Sequence, residues 1–179
     1  AWAVVNDDTL FAGSFDGTNG VVYYTTNSGW TYSTGAIAGS QSLKSIVLSP
    51  NYEQDKTILV GNTNGWVYWS SDNGTSFESL PPDATSPPLT GSVTVAFDPK
   101  FSSKNAHARG TYPAHEGIYR FTINKDSKWE SIDSSLPAGG MVSQLVVSVD
   151  GTLYATNLEA DGGMERCLNP TYSLGPTFE

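Results

Sequence analysis

Cysteine is almost missing from this chain. The single Cys167 rules out an internal disulfide, so the fold must be held by packing and hydrogen bonds. Cations are scarce too: nine Lys and Arg stand against eighteen Asp and Glu, a formal net charge of −9. Nucleic acid and anionic membrane surfaces need basic patches, so neither is an expected partner. A solvated acidic surface accounts for the charge more simply than cation binding does. No apolar run approaches the ~18 residues that span a bilayer, which excludes direct membrane insertion by a helix. Ala1-Trp2-Ala3-Val4-Val5 has neither the basic start nor the apolar length of a signal peptide and reads as a strand. Phosphate-loop, dinucleotide and G-x-S-x-G signatures are all absent, and no cofactor is expected.

What remains is rich in turn formers and aromatics. The 179 residues include 18 Gly and 10 Pro, with 12% aromatic and only 15% charged side chains, the profile of an all-β protein with many turns. An internal repeat organises it. Gly20, Gly65, Gly117 and Gly162 each open a run (VVYY, WVYW, IYRF, GMER), at a spacing typical of β-propeller blades. Each repeat divides into four short strands: WAVVN, TLFAG, VVYYTT and WTYST; LKSIVLS, TILVGN, WVYWSS and SFESL; SVTVAF, AHARG, IYRFT and KWESI; SQLVVSV, TLYAT, MERC and a weak last strand near TYSL. No segment has a 3.6-residue apolar period, so almost no helix is expected. The expected fold is a β-propeller of four-stranded antiparallel blades forming a single domain over 1–179, the blades spanning about 1–40, 41–90, 91–139 and 140–179. The ring either closes at four blades or belongs to a larger one.

Between the third and fourth strands of the second repeat lies SSDNGTSF (70–77). Asp72 is placed to accept backbone amides within a tight turn, Gly74 to supply a positive φ, and Phe77 to return the chain to the apolar layer. Residues 25–32 read TTNSGWTY, 122–129 TINKDSKW and 167–174 CLNPTYSL. The stretch resembles the Asp-box, or BNR, repeat family, with its pattern S/T-x-D-x-G-x-T/S-W/F. Ser70, Asp72, Gly74, Ser76 and Phe77 fit every position. Thr25, Asn27, Gly29, Thr31 and Tyr32 fit with Asn replacing Asp, whereas Thr122, Asn124 and Trp129 keep only the frame. The resemblance implies a structural turn at the propeller's periphery. It is shared by sialidases, sortilin-like receptors, xyloglucan-cleaving hydrolases, photosystem assembly factors and secreted bacterial surface propellers, so it does not name a function.

Chemistry has few footholds. A sialidase-like arginine cluster is lacking: only Arg109, Arg120 and Arg166 exist, the last two at matching third-strand positions. A glycosidase needs two convergent carboxylates. The loops between second and third strands, SFDGTN, NTN, TYPAHE and NLEAD, should bring Asp16, Glu116, Glu159 and Asp161 to one end. Acidic residues populating exposed turns explain them more simply. In the third repeat His107, Ala108 and Arg109 stand where other second strands carry LFA, ILV and LYA, with Tyr112, His115 and Glu116 close by. This is either a ligand site or a locally irregular strand; no common metal-ligand spacing is present, and no metal is expected. Of Trp66 and Trp69, one should reach the rim.

The residues point first to a non-enzymatic scaffold that binds protein partner chains or glycan, extracellular or on the cell envelope, within an oligomer or a larger surface lattice. A carbohydrate-active hydrolase of the same fold and an assembly factor for a membrane complex are the alternatives.

Overall fold

The computed structural model describes residues 1–102, 110–133, 141–158, 162–172 and 175–179. Its strands form four antiparallel sheets, each a meander in chain order. The first sheet contains β1 (Trp2–Val4), β2 (Leu10–Phe15), β3 (Gly20–Thr25) and β4 (Ala36–Ile37). The second contains β5 (Leu43–Leu48), β6 (Ile58–Asn62), β7 (Val67–Ser70) and β8 (Glu78–Leu80), and the third β9 (Thr94–Phe97), β10 (Gly110–Ala114), β11 (Tyr119–Thr122) and β12 (Glu130–Ser131). The fourth has β13 (Val142–Val147), β14 (Leu153–Asn157) and β15 (Met164–Cys167), with an isolated bridge from Cys167 to Phe178 where a fourth strand would lie. One helical turn, α1 (Tyr52–Asp55), sits in the link from β5 to β6.

Alternation along the strands puts apolar side chains on both faces of each sheet, so sheets stack face to face. Three buried clusters result. Phe11, Val22, Ile46 and Val60 join the first two sheets; Leu59, Val95, Phe97 and Phe121 join the second and third; Tyr112, Ile118, Leu145 and Leu153 join the third and fourth. Among the described residues, no cluster joins the fourth sheet back to the first. Among the described residues the array is an open arc.

Two expected strands are relocated, and a third falls mostly outside the described residues. WTYST is not a strand: β4 pairs Ala36 and Ile37 with Val22 and Val21, and Trp30 and Tyr32 lie outside it. In the fourth repeat the bridge falls at Phe178, after TYSL. Of AHARG, expected as the second strand of the third repeat, only Gly110 lies within the described residues; it opens GTYPA, which pairs Tyr112 with Ala96 and Pro113 with Val95. Pro113 made this segment resemble a loop, since a proline donates nothing to a ladder.

The repeat glycines have a tertiary explanation. Gly20 and Gly65 lie where the turn between second and third strands meets the link leaving the sheet. There Gly20 donates to the Gly39 carbonyl and Gly65 to that of Gly91, while Leu89 donates back to Gly65.

Candidate functional site

The Ser-x-Asp turn after β7 is built by its own side chains. Ser70 Oγ donates to Asp72 Oδ1 at 2.7 Å and accepts from the Gly74 amide at 2.9 Å. Asp72 also accepts from the Thr75 and Ser76 amides, and its Oδ2 takes the Ser76 hydroxyl at 2.6 Å. Burial pushes the Asp72 carboxyl up, but the bonds from Ser76, Ser70 and Thr75 outweigh it and hold the group below the ordinary value of 3.8. Sheet one repeats the turn with an amide: Thr25 Oγ1 donates to Asn27 Oδ1, Gly29 and Thr31 amides close the loop, and Asn27 Nδ2 donates to Thr31 Oγ1. In the fourth sheet Cys167 Sγ donates to Asn169 Oδ1 at 3.4 Å, keeping the first contact of the same turn. The third differs: the Thr122 amide donates to Asp126 Oδ2, and Asn124 takes a φ of 63°.

These bonds make a pH prediction. Because folding lowers the Asp72 pKa, its stabilisation is present above the unfolded value near 3.8 and is lost as pH falls through the lower folded value. Asp72→Asn, which copies the sheet-one turn, should flatten the acid limb of stability below pH ~4 and cost little at neutrality. Urea midpoints from pH 2 to 7 check this; an unchanged acid limb would contradict it.

The box aromatics divide by position. Phe77 packs half-buried on the cluster between sheets one and two, and Trp129 lies against Phe121, ring centroids 4.6 Å apart. Tyr32 is 52% exposed, unlike Phe77 at the matching position of sheet two. Each box ring enters the sheet before its own, and sheet one has none before it among the described residues. Trp66 stacks on Tyr68 on one face of sheet two and Trp69 packs on the other, so neither stands at the rim.

Asp16, His115 and Glu116 lie at the end of the arc that carries the turns between second and third strands. Asp16 is exposed and accepts the Thr18 and Asn19 amides, which lower its pKa. Glu116 takes the Thr90 hydroxyl at 2.8 Å, and the His115 carbonyl takes the Val142 amide at 2.7 Å, tying sheet three to four. Asp16 and Glu116 belong to the first and third sheets, with the second between them. Tyr112 is fully buried, and its hydroxyl donates to Asp98 Oδ2 at 3.1 Å, toward the opposite end of sheet three from His115 and Glu116. Burial pushes that hydroxyl far above the usual tyrosine range, and the Asp98 charge adds to the effect. His107, Arg109, Glu159 and Asp161 lie outside the described residues, and no metal-ligating group of three or more occurs among those described.

The opposite end of the arc holds a feature the sequence reading missed. A cleft of about 850 Å³ opens between sheets three and four, lined by Asp98, Lys100, Arg120, Lys125, Asp126, Glu130, Asp150 and Tyr172 among others. Four loops build it: the links after β9 and β13, the turn after β11 and the segment after β15. Arg120 crosses it, holding Glu130 through Nε and Nη2 and donating from Nη1 to the Pro170 carbonyl at 2.8 Å. Tyr172 is 52% exposed beside it. Asp150 accepts the Ser148 hydroxyl and the Thr152 amide, which hold its pKa low. The matching positions of Arg120 and Arg166 were the available signal: Arg166 likewise binds a cross-strand glutamate, Glu179 Oε1, at 2.7 Å.

No protein-family profile matches the chain, and no curated protein does. Solved structures do. A GH74 enzyme of Niastella koreensis superposes on the whole chain with a TM-score of 0.73 at 18% identity, the match covering 29% of that enzyme. The GH74 xyloglucanase of Xanthomonas campestris matches 93% of the chain and 28% of its own length, with a TM-score of 0.67 at 19% identity. A chain of the mitotic checkpoint complex matches 97% of this one and 50% of its own, at 0.64 and 14%. The chain thus spans less than a third of the two enzymes. Together with the four antiparallel sheets, these likenesses establish the fold: an all-β, propeller-like array resembling part of the GH74 enzymes.

Proposed function

We propose that this chain is a glycan-binding segment of an extracellular or cell-surface propeller of Asp-box type, with the cleft between sheets three and four as its binding site. The observation that carries the reading is an open cleft in which an exposed aromatic ring, Tyr172, stands beside a dense set of polar groups. Sugars are recognised by such mixtures, the ring stacking on C–H faces and the fixed polar groups bonding hydroxyls. The likeness to GH74 enzymes, one a xyloglucanase, supports a β-glucan as ligand.

Binding is favoured over hydrolysis by the state of the acids. A general acid must keep its proton near neutrality. Asp150, in this cleft, is instead held low by hydrogen bonds from the Ser148 hydroxyl and the Thr152 amide. Affinity electrophoresis in soluble xyloglucan and a panel of other glucans tests the reading, with reducing-end release measured in parallel. We expect retarded migration without release. Tyr172→Ala should weaken affinity about tenfold, the effect of losing ~1.4 kcal/mol of ring contact. Unretarded migration in every glucan would refute the reading, and release of reducing ends would replace it with the hydrolase.

A further inference from the structure

A second depression adjoins the cleft between sheets three and four. It has a volume of about 650 Å³ and is lined by Pro81, Pro82 and Pro88 from the link between sheets two and three, and by Asn124 and Ser127 from the turn after β11, among others. Lys125 and Asp126 of that turn line both hollows, so the turn is a ridge the two share. We propose that the glycan track runs from the first cleft over this ridge into the second depression, so that the chain recognises a long stretch of glucan rather than a short sugar. The proposal rests on the reading of the first cleft as a glycan site.

The link is longer than its place in the fold requires. Residues 38–42 suffice to pass from sheet one to sheet two, whereas 81–93 pass from sheet two to sheet three. An ordered link of that length is usually kept for a function. Its shape is also fixed in advance. Ser79 Oγ donates to the Pro81 carbonyl at 3.1 Å, the Ala84 amide donates to the same carbonyl at 3.3 Å, and the proline rings restrict φ along the segment. Trp129, which ends the turn after β11, ties the two walls together by donating from Nε1 to the Leu80 carbonyl at 3.2 Å. The ridge is set as firmly: the Lys125 and Asp126 amides donate to the Thr122 carbonyl, and Asp126 Oδ2 takes the Thr122 amide at 2.7 Å. Walls built this way add little ordering cost of their own when a polymer settles on them.

The chemistry of the depression suits a sugar chain. The rings of Pro81, Pro82 and Pro88 offer uncharged apolar surface, while Asp83, Thr85, Asn124 and Ser127 offer carboxylate, amide and hydroxyl partners. Lys125, on the ridge, makes no ion pair among the described residues, so its ammonium can donate to hydroxyls on either side. Each hollow alone falls within the ~300–1,000 Å³ of small-ligand sites, and together they exceed it, which fits an extended polymer better than a compact molecule. The second depression lies at the junction of sheets two and three, each of which has a further sheet on its other side.

Isothermal titration calorimetry with cello-oligosaccharides from cellobiose to cellohexaose, and with soluble xyloglucan, tests this. Affinity should rise in two stages: one that levels off as the cleft beside Tyr172 fills, then a further gain of about tenfold once the chain crosses Lys125. Ser127→Leu, at an exposed position that lines only the second depression, should abolish the second stage and leave the shortest ligands that bind unchanged. Tyr172→Ala should weaken every length. With isotope-labelled alanine, the methyl resonance of Ala84, assigned through Ala84→Gly, should move with cellohexaose and stay in place with cellobiose. Affinity that stops rising after the first stage, with the Ala84 methyl unmoved by cellohexaose or xyloglucan, would overturn the inference and leave the first cleft as a self-contained glycan site. Two stages that survive Ser127→Leu would also overturn it. No binding of any of these ligands would refute the reading of the first cleft, and the inference with it.

Discussion

Phe121→Ala is expected to destabilise the protein by about 3–5 kcal/mol, the usual cost of emptying a large buried aromatic site. Phe121 is fully buried between sheets two and three, against Trp129 and near Leu59 and Phe97. The loss comes from the dispersion contacts of the ring and from a cavity that rigid neighbouring strands cannot collapse. Its position adds a second consequence. Among the described residues each sheet packs only on its sequence neighbours, so stability is close to a sum of sheet and junction contributions. Phe121 sits at the middle junction. Thermal unfolding of the variant should therefore show a lower midpoint and a broadened or split transition, whereas Phe121→Leu, which keeps most of the volume, should cost less than about 1.5 kcal/mol. Calorimetry of the three proteins checks both parts. A sharp single transition at the native midpoint for Phe121→Ala would show that the junction is not a mechanical centre of the array.

Gly65→Ala should cost about 3 kcal/mol or more, because two penalties coincide. Gly65 has a φ of +78°, a region that costs an L-residue roughly 1–2 kcal/mol. An added Cβ would also lie 2.0 Å from the Leu89 carbonyl oxygen and 2.6 Å from its carbon, and backbone displaced by overpacking costs typically about 1–3 kcal/mol. The displaced segment is the link from sheet two to sheet three, whose Leu89 and Gly91 bond to Gly65 itself. For a chain of this length the shift in thermal midpoint is about 10 °C. Gly163→Ala is the control: a Cβ there meets nothing within 4 Å, so the expected change is within ~0.5 kcal/mol. Equal midpoints for the two variants would mean that the close approach at Gly65 relaxes without cost.

The sequence by itself determined the repeat, and with it the class of fold. Strand alternation, the periodic glycines and the S-x-D-x-G turn are local signals, fixed by backbone sterics and by side chains that bond within a few residues of themselves. Ser70, Asp72 and Gly74 could be assigned to a turn because every partner they use lies within six positions. The third repeat was misread for the same reason in reverse. Pro113 is locally a loop residue, and only the pairing with Val95 across the sheet makes it part of a strand. Tyr112 was read as a ligand residue from its neighbours in sequence, whereas its place in the core is set by Asp98 and sheet four.

Tertiary structure alone decided the rest. Whether Tyr32 is buried depends on which sheet stands before it, and that Gly65 must be glycine depends on the carbonyl of Leu89, 24 positions on. The cleft beside Arg120 exists because four loops from two sheets, separated by up to some 70 residues, leave a gap where those sheets meet. The order of the junctions is likewise a property of no single repeat: among the described residues, only the stacking shows that sheet one meets sheet two, two meets three and three meets four.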